Sequence, residues 1–208
     1  MGKAGSRSIT IRDMRKSDLG SLERWYLGLM LHVARTRPQH YRQRLTSRDA
    51  RWTASEAIRR QRKAHGFFLI AEVGGTPIGF ISAAVAGFPP RWARLEERPN
   101  LQGFIDDVFV EPGVRSRGVG TALFSAAGER LRAMGCDNLR LWVAAGNEGA
   151  REFYRELGFQ EHRLGLRKDV AKPPGDWEEV RRRRKRAVRR RPATRRSPRR
   201  RRASSTRG

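Results

Sequence analysis

A short glycine-containing segment with two arginines has the composition of a phosphate-binding turn. Arg115, Arg117, Gly118 and Gly120 lie in it, between a β-branched and aromatic stretch at 104–110 and a run with apolar residues at helical spacing. A turn that ends at a helix N-terminus presents backbone N–H groups without intrahelical partners, and glycine lets an anion approach them closely. The segment therefore predicts a site for a phosphate or pyrophosphate group.

The spacing of the glycines separates this segment from two common nucleotide-binding loops. A dinucleotide-binding fingerprint requires a third glycine three residues after Gly120, where Leu123 stands instead. A nucleoside triphosphate loop requires Gly-Lys followed by Ser or Thr, and this run does not occur in the sequence. The pattern is instead Arg-x-x-Gly-x-Gly, which begins at Arg115 directly after the predicted strand.

A second strand-to-helix unit follows downstream. Residues 138–144 alternate as in a strand, and Asn147 suits the N-cap of a helix that ends near Gly158. This helix carries the pattern Asn-x-x-Ala-x-x-x-Tyr-x-x-x-Gly-Phe, in which the tyrosine is Tyr154. The two motifs, in this order, resemble those of the GNAT superfamily of N-acetyltransferases, which use acetyl-coenzyme A.

The resemblance implies a coenzyme site with the pyrophosphate on the glycine-containing turn and the pantetheine along the preceding strand. Asn147 is expected to help hold the coenzyme, and Tyr154 is expected to face its sulfur atom. The cofactor-binding residues that the resemblance implies are Val108, Phe109, Val110, Arg115, Arg117, Gly118, Val119, Gly120, Thr121, Asn147 and Tyr154.

In the reaction that the resemblance implies, a neutral amine attacks the acetyl thioester and coenzyme A leaves as a thiolate. A thiolate whose conjugate acid has a pKa of about 8.5 is helped by a nearby proton donor, and a phenol with a pKa near 10 is suitable. Tyr154 is the candidate general acid. The alternative for Tyr154 is a packing role as a core aromatic residue.

Two adjacent carboxylates, Asp106 and Asp107, lie in the strand before the turn, where acidic residues are poor strand formers. Strand alternation predicts that their side chains lie on opposite faces of the sheet. The resemblance implies that the acceptor amine approaches one of them. The sequence leaves open whether that carboxylate acts as a base through water, acts as a base with a raised pKa, or binds the amine electrostatically. Ion pairing with the many arginines is the structural alternative.

Apolar periodicity and turn residues predict the elements that position these motifs. The predicted elements are strands at 9–12, 67–73, 77–86, 104–110, 138–144 and 160–168, helices that include 19–33, 53–64, 119–131 and 148–157, and loops at 35–52 and 87–99. Ser17 and Thr53 are the predicted caps of the first two helices. The resemblance implies an α/β (α+β) fold of the GNAT type: a single mixed, mostly antiparallel, splayed sheet flanked by helices.

Composition changes abruptly after residue 172, which predicts a domain at 1–172 and a tail at 173–208. The chain has a net charge of +25, and residues 181–208 contain 16 Lys and Arg but no Asp or Glu. Such a segment cannot bury enough apolar surface to fold and is expected to be disordered. It would attract nucleic acid or another polyanion without reading a base sequence.

Two functions remain open from the sequence. The first is an acetyl-coenzyme A-dependent N-acetyltransferase that acts on a small-molecule or protein primary amine by direct attack in a ternary complex. The second is a nucleic-acid- or ribosome-associated binding protein with a catalytically silent domain. The four histidines lack metal-ligand spacing, so no metal is predicted, and the single cysteine, Cys136, is interpreted as structural. Without an apolar run or signal peptide, the cytoplasm is the default expectation, and a homodimer stays open.

Overall fold

A computed structural model describes residues 8–36, 44–86, 101–166 and 168. Backbone packing separates residues 1–160 from residues 161–208. The helices and strands of the first unit are β1 (Ile9–Asp13), α1 (Leu19–Thr36), α2 (Ser47–Lys63), β2 (Phe67–Val73), β3 (Thr76–Ala86), β4 (Gln102–Val110), α3 (Val119–Ala133), β5 (Asn138–Leu141) and α4 (Glu148–Glu156). Among the described residues of the second unit, no helix or strand forms. The tail predicted at 173–208 and the loop predicted at 87–99 lie outside the described residues.

The strands form one sheet in the order β1-β2-β3-β4-β5. Every neighbouring pair is antiparallel except β4 and β5, which are parallel. The β5 strand pairs only with the first part of β4, from Gln102 to Ile105, whereas β3 pairs with β4 as far as Val110. In the described part of the chain, one edge of residues 106–110 is therefore left open. The mixed, mostly antiparallel, splayed sheet predicted from the sequence is confirmed.

Helices cover both faces of the sheet and enclose two apolar cores. On one face, α3 buries Leu123, Ala127 and Leu131 against residues of β2, β3 and β4, with side chains of α4 packed alongside. On the other face, α1 and α2 pack against aromatic side chains that include Phe80, which is fully buried. Within the described ranges, every helix is too short or too polar to cross a lipid bilayer.

The second helix begins earlier than the sequence analysis predicted. It starts at Ser47 and not near Thr53, because Thr46 forms a capping box with Asp49: the Thr46 hydroxyl accepts from the Asp49 N–H, and the Asp49 carboxylate accepts from the Thr46 N–H. The cap predicted at Ser17 is also wrong. A single 3₁₀ turn, Lys16–Asp18, precedes α1, and Ser17 lies inside it.

Two strands at the end of the fold differ from their predicted extents. The β5 strand ends at Leu141, three residues before the predicted end, and the exposed Trp142 follows it. The strand predicted at 160–168 is absent from residues 160–166 and 168, the described part of this segment. By contrast, Gly135 and Gly158 have φ values of 92° and 86°, which agrees with their predicted role as left-handed helix ends.

A buried ion pair fastens the entry of α1 to the edge of the sheet. The Arg12 guanidinium donates two hydrogen bonds to Asp18, at 2.8 and 3.0 Å, and one to Glu72 at 2.5 Å. The Asp18 side chain is only 3% exposed. The hydrogen bond from Arg12 is the main cause that holds the pKa of Asp18 below its usual value. This stabilisation is present above the pKa of Asp18 in the unfolded chain and is lost as the pH falls through the folded pKa.

Arg12→Ala is expected to lower the free energy of unfolding by about 3–5 kcal/mol at neutral pH, because it leaves the buried Asp18 carboxylate without a charged partner, with only the Arg15 backbone N–H still donating to it. Urea unfolding followed by circular dichroism measures the change. Arg59→Ala is a matched control, since it removes the exposed pair with Glu56 and should cost about 0–1 kcal/mol. Equal small losses in both variants would contradict a structural role for the Arg12 pair.

Candidate active site and coenzyme cradle

A β-bulge brings the two adjacent carboxylates to the same face of the sheet. Ser82 pairs with Asp107 while the next residue of β3 pairs with Ile105, so Asp106 has no partner across the ladder. The Asp106 carboxylate contacts Gln61 of α2, and the Asp107 carboxylate contacts Tyr26 of α1. The prediction that alternation separates the two side chains is therefore wrong, because the extra residue shifts the alternation at this point.

Asp107 is held by groups from three elements. Its Oδ2 accepts a hydrogen bond from the Tyr26 hydroxyl at 2.8 Å and a longer one from Arg60 Nη2 at 3.5 Å. Its backbone N–H donates to the Ser82 hydroxyl at 3.2 Å. Burial raises the pKa of Asp107, with a smaller contribution from the charge of Asp106, while Tyr26 and Arg60 act in the opposite direction. The result is a carboxylate that accepts a proton more readily than an ordinary aspartate does.

The Asp106 carboxylate has a different environment. Its Oδ2 accepts from the Gln61 side-chain amide at 2.5 Å, and Gln61 is only 3% exposed. The other end of this amide, Gln61 Oε1, is buried without a hydrogen-bond partner in the described part of the chain. Asp106 is therefore anchored to the last turn of α2, next to the residue that contacts Asp107.

Beyond the carboxylates, β4 ends in an exposed turn that leads into α3. A 3₁₀ turn, Pro112–Val114, is followed by Ser116 and Gly118 in the left-handed region, at φ values of 59° and 79°. Gly118 is the N-cap of α3, and no side chain caps this end of the helix. The N–H groups of the first turn are therefore available to an anion from outside the helix.

The two glycines of the motif have different structural roles. A Cβ built on Gly118 meets no atom within 4 Å, so the space above this residue is open. A Cβ on Gly120 would lie 2.8 Å from Phe153 Cζ, because the ring of this α4 residue packs against the first turn of α3. Gly118 thus permits the left-handed backbone conformation at the start of α3 and leaves room for a ligand. Gly120 instead leaves room for the Phe153 ring, so that α4 can pack on α3.

The two arginines of the turn are both exposed. Arg115 Nε donates to the Val110 carbonyl at 3.0 Å, and its guanidinium lies 5.8 Å from the centre of the Phe109 ring. Arg117 lies two residues further along the same segment and is also exposed. The Val110 carbonyl, which the sequence analysis assigned to the pantetheine edge, is therefore used by a side chain of the turn in this structure.

The α4 helix carries the other predicted coenzyme residues. Asn147 occupies the predicted N-cap position, but its side chain makes no capping hydrogen bond. Tyr154 packs in a cluster of aromatic rings, 5.6 Å from Phe124 and 5.9 Å from Phe159 between ring centres. Burial raises the pKa of Tyr154 above its usual value, which keeps the phenol protonated at neutral pH.

The predicted site residues fall into two groups on opposite faces of the sheet. Asp106 and Asp107 face α1 and α2, whereas Tyr154 lies on the face covered by α3. The open edge of β4 lies between the groups. In the described ranges, no cluster of His, Cys, Asp and Glu could hold a metal ion.

Sequence analysis missed three side chains of the site: Tyr26, Arg60 and Gln61. Tyr26 precedes Asp107 by 81 residues, and Arg60 precedes it by 47. No local pattern marks such contacts. The one available signal was Gln61, a polar residue on the alanine-lined side of α2, which faces the sheet.

Comparison with known proteins defines the class. Residues 30–159 match the acetyltransferase (GNAT) family model. The chain is 34% identical over 156 residues to an uncharacterized N-acetyltransferase of Methanocaldococcus jannaschii, an alignment that covers 74% of this chain and 62% of that protein. It is 34% identical over 116 residues to a mycothiol acetyltransferase of Thermobispora bispora, which covers 52% of this chain and 36% of that protein. The chain therefore belongs to the acetyltransferase (GNAT) family.

Solved structures agree on the fold. An aminoglycoside N-acetyltransferase in complex with CoA superposes with a TM-score of 0.58 at 20% identity, over 81% of this chain and 99% of that one. A Bacillus halodurans protein, solved as a tetramutant, superposes with a TM-score of 0.65 at 18% identity, over 77% of this chain and 99% of that one. The chain spans only 36% to 62% of the length of the two curated relatives described above.

Proposed function

We propose that this chain transfers an acetyl group from acetyl-coenzyme A to a primary amine by direct attack in a ternary complex. The observation that carries the proposal is the open edge of β4 at residues 106–110, which leads directly to an uncapped helix N-terminus at Gly118. An extended ligand with amide groups and a terminal pyrophosphate fits this combination, because a free strand edge and free helix N–H groups offer matching hydrogen bonds.

The residues of the turn fit the pyrophosphate of the coenzyme. Gly118 and the N–H groups of Val119, Gly120 and Thr121 would bind the phosphate oxygens, with Val119 contributing only backbone because its side chain is buried. Arg115 and Arg117 would supply formal charge from the exposed side. The pantetheine would bind backbone groups of Val108, Phe109 and Val110. The hydrogen bond that Arg115 donates to the Val110 carbonyl would then break, or the carbonyl would accept a second hydrogen bond from the pantetheine. Asn147 would hold the coenzyme from α4.

The reaction forms a bond between the amine nitrogen and the acetyl carbon, and it breaks the bond from that carbon to sulfur. Asp107 would accept the proton that the amine loses, since its raised pKa brings it closer to the working pH. Tyr154 would donate a proton to the departing thiolate. The base and the acid lie on opposite faces of the sheet, which allows the amine to enter from one side of the thioester while the proton donor acts from the other.

Deprotonation of the amine explains why the site needs a base. For an amine with a pKa of about 10.4, the neutral form at pH 7 is disfavoured by about 4–5 kcal/mol. Asp107 lowers this barrier in two ways, by attracting the ammonium and by taking its proton. Asp106 adds negative charge beside it, while its own oxygen is held by Gln61.

Gly118→Asp is the decisive test of the coenzyme cradle. It places a side chain and a negative charge in the open space where the pyrophosphate would lie, so the Kd for acetyl-coenzyme A is expected to rise at least about tenfold through lost helix-terminus contacts and like-charge repulsion. Isothermal titration measures the affinity, and release of the free thiol measures turnover.

Gly113→Asp is the matched control for this variant. Gly113 lies in the neighbouring 3₁₀ turn, and a Cβ there also meets no atom within 4 Å. Gly113→Asp adds the same negative charge to the exposed segment between β4 and α3, but at a position away from the N-terminus of α3. Equal weakening by both variants would show that general electrostatics, and not the cradle, controls binding. Absence of any acetyl-coenzyme A affinity in the unmodified protein would overturn the proposed function.

A further inference from the structure

Arg60 differs from the other arginines of α2 whose contacts are defined. Arg59 is paired with Glu56 of its own helix, and Arg51 is paired with Glu23 of α1. Arg60 has a single long contact, 3.5 Å from Nη2 to Asp107 Oδ2, and its side chain is 56% exposed. Among the described residues, its other guanidinium nitrogens have no hydrogen-bond partner.

The contrast with Arg12 shows how little of the Arg60 guanidinium is used. Arg12 forms three hydrogen bonds to two carboxylates and is nearly buried. A guanidinium is built to bind an anionic oxygen pair through two parallel N–H groups. Arg60 therefore retains unused donors for a second anion while it already touches the carboxylate assigned as the base.

The contacts of Asp107 also leave one oxygen available. Tyr26 and Arg60 both donate to Oδ2, and no hydrogen bond from a described residue ends on Oδ1. An ammonium that approaches Oδ1 would lie close to the positive charge of Arg60. Arg60 repels the ammonium of any acceptor placed there, and an anionic group on the same acceptor would offset this repulsion by binding the unused N–H groups of Arg60.

We propose that Arg60 forms an anion subsite beside Asp107, so that the acceptor is a zwitterion: its amine lies on Asp107 and its phosphate or carboxylate lies on Arg60. This inference rests on the proposed function. The two groups of the acceptor are separated by a short chain, because Arg60 and Asp107 are in contact. Arg60 is thus a specificity-determining residue, and Tyr26 positions Asp107 by fixing its Oδ2.

Matched acceptors test the subsite. Phosphoethanolamine and ethanolamine carry the same amine on the same short chain and differ in the phosphate. The full-length protein is expected to acetylate phosphoethanolamine with a kcat/KM about tenfold to a hundredfold higher, the range for hydrogen bonds to charged groups. In Arg60→Gln this ratio is expected to fall to near one. β-Alanine against propylamine repeats the comparison with a carboxylate and separates the two anion sources.

Arg59→Gln is the matched control, since it removes a neighbouring exposed arginine that is paired elsewhere, and the ratio is expected to stay as in the unmodified protein. Isothermal titration of phosphoethanolamine into the protein loaded with coenzyme A keeps the test independent of turnover. Binding that depends on Arg60 supports the subsite even if acetyl transfer fails, in which case only the proposed function is overturned. A ratio near one in the unmodified protein, or an equal loss in both arginine variants, would overturn the subsite.

Discussion

Asp107→Asn is expected to lower kcat/KM for acetyl transfer by about 10²- to 10³-fold, within the range for loss of a positioned general base. The folded domain is expected to be at least as stable at pH 7 as before. Burial raises the pKa of Asp107 in the folded chain, so the protonated form favours folding and this contribution is lost as the pH rises through the folded pKa. Asparagine stays neutral, and its amide oxygen can still accept the hydrogen bond from Tyr26.

The pH profile distinguishes loss of the base from a structural defect. With an acceptor amine whose pKa lies well above the measured range, log kcat/KM rises more steeply below the pKa of Asp107 than above it. Asp107→Asn should remove this break, which is expected above the usual aspartate pKa. Asp106→Asn is the comparison variant, since Gln61 can still donate to an amide oxygen there. A larger loss of activity in Asp106→Asn, or a break that survives in Asp107→Asn, would transfer the role of base to Asp106.

Local signals explain the parts of the fold that the sequence predicted well. The hairpin of β2 and β3, the helix after Gly118 and the left-handed ends at Gly135 and Gly158 all depend on residues close together in the chain. The start of α2 also depends on residues close together in the chain, Thr46 and Asp49. The segment was nevertheless predicted as part of a loop because it is rich in arginine. The apolar positions of that helix are mostly alanines, which give a weak periodic signal.

The site itself depends on tertiary pairing, and here local patterns were insufficient. Strand alternation predicted opposite faces of the sheet for Asp106 and Asp107. The pairing of β3 with β4 contains a β-bulge at this point, and no residue pattern within β4 indicates it. Sequence analysis explained glycine at position 120 only as room for a ligand, and the packing of the Phe153 ring against it is a second reason that no local pattern indicates. In both cases the contact that explains the local geometry is made with another element of the fold.

Tyr154→Phe is expected to lower the single-turnover rate of acetyl transfer by about 10²-fold or more, the lower end of the range for a general acid. The Kd for acetyl-coenzyme A is expected to stay nearly unchanged, because the phenylalanine ring preserves the packing against Phe124 and Phe159. Single-turnover measurements are required, since slow product release would hide the effect in kcat. Tyr154→Phe therefore tests the role of the Tyr154 hydroxyl separately from the packing of its ring.

The alternative role for Tyr154 is that of a packed aromatic residue, and the two roles predict different patterns. Loss of packing would lower thermal stability and weaken coenzyme binding along with turnover. Loss of a proton donor would lower only the chemical step, and it would do so across the whole range below the tyrosine pKa, which burial raises. An unchanged single-turnover rate would remove Tyr154 from the acid role. The thiolate would then have to take its proton from water entering the open edge of β4.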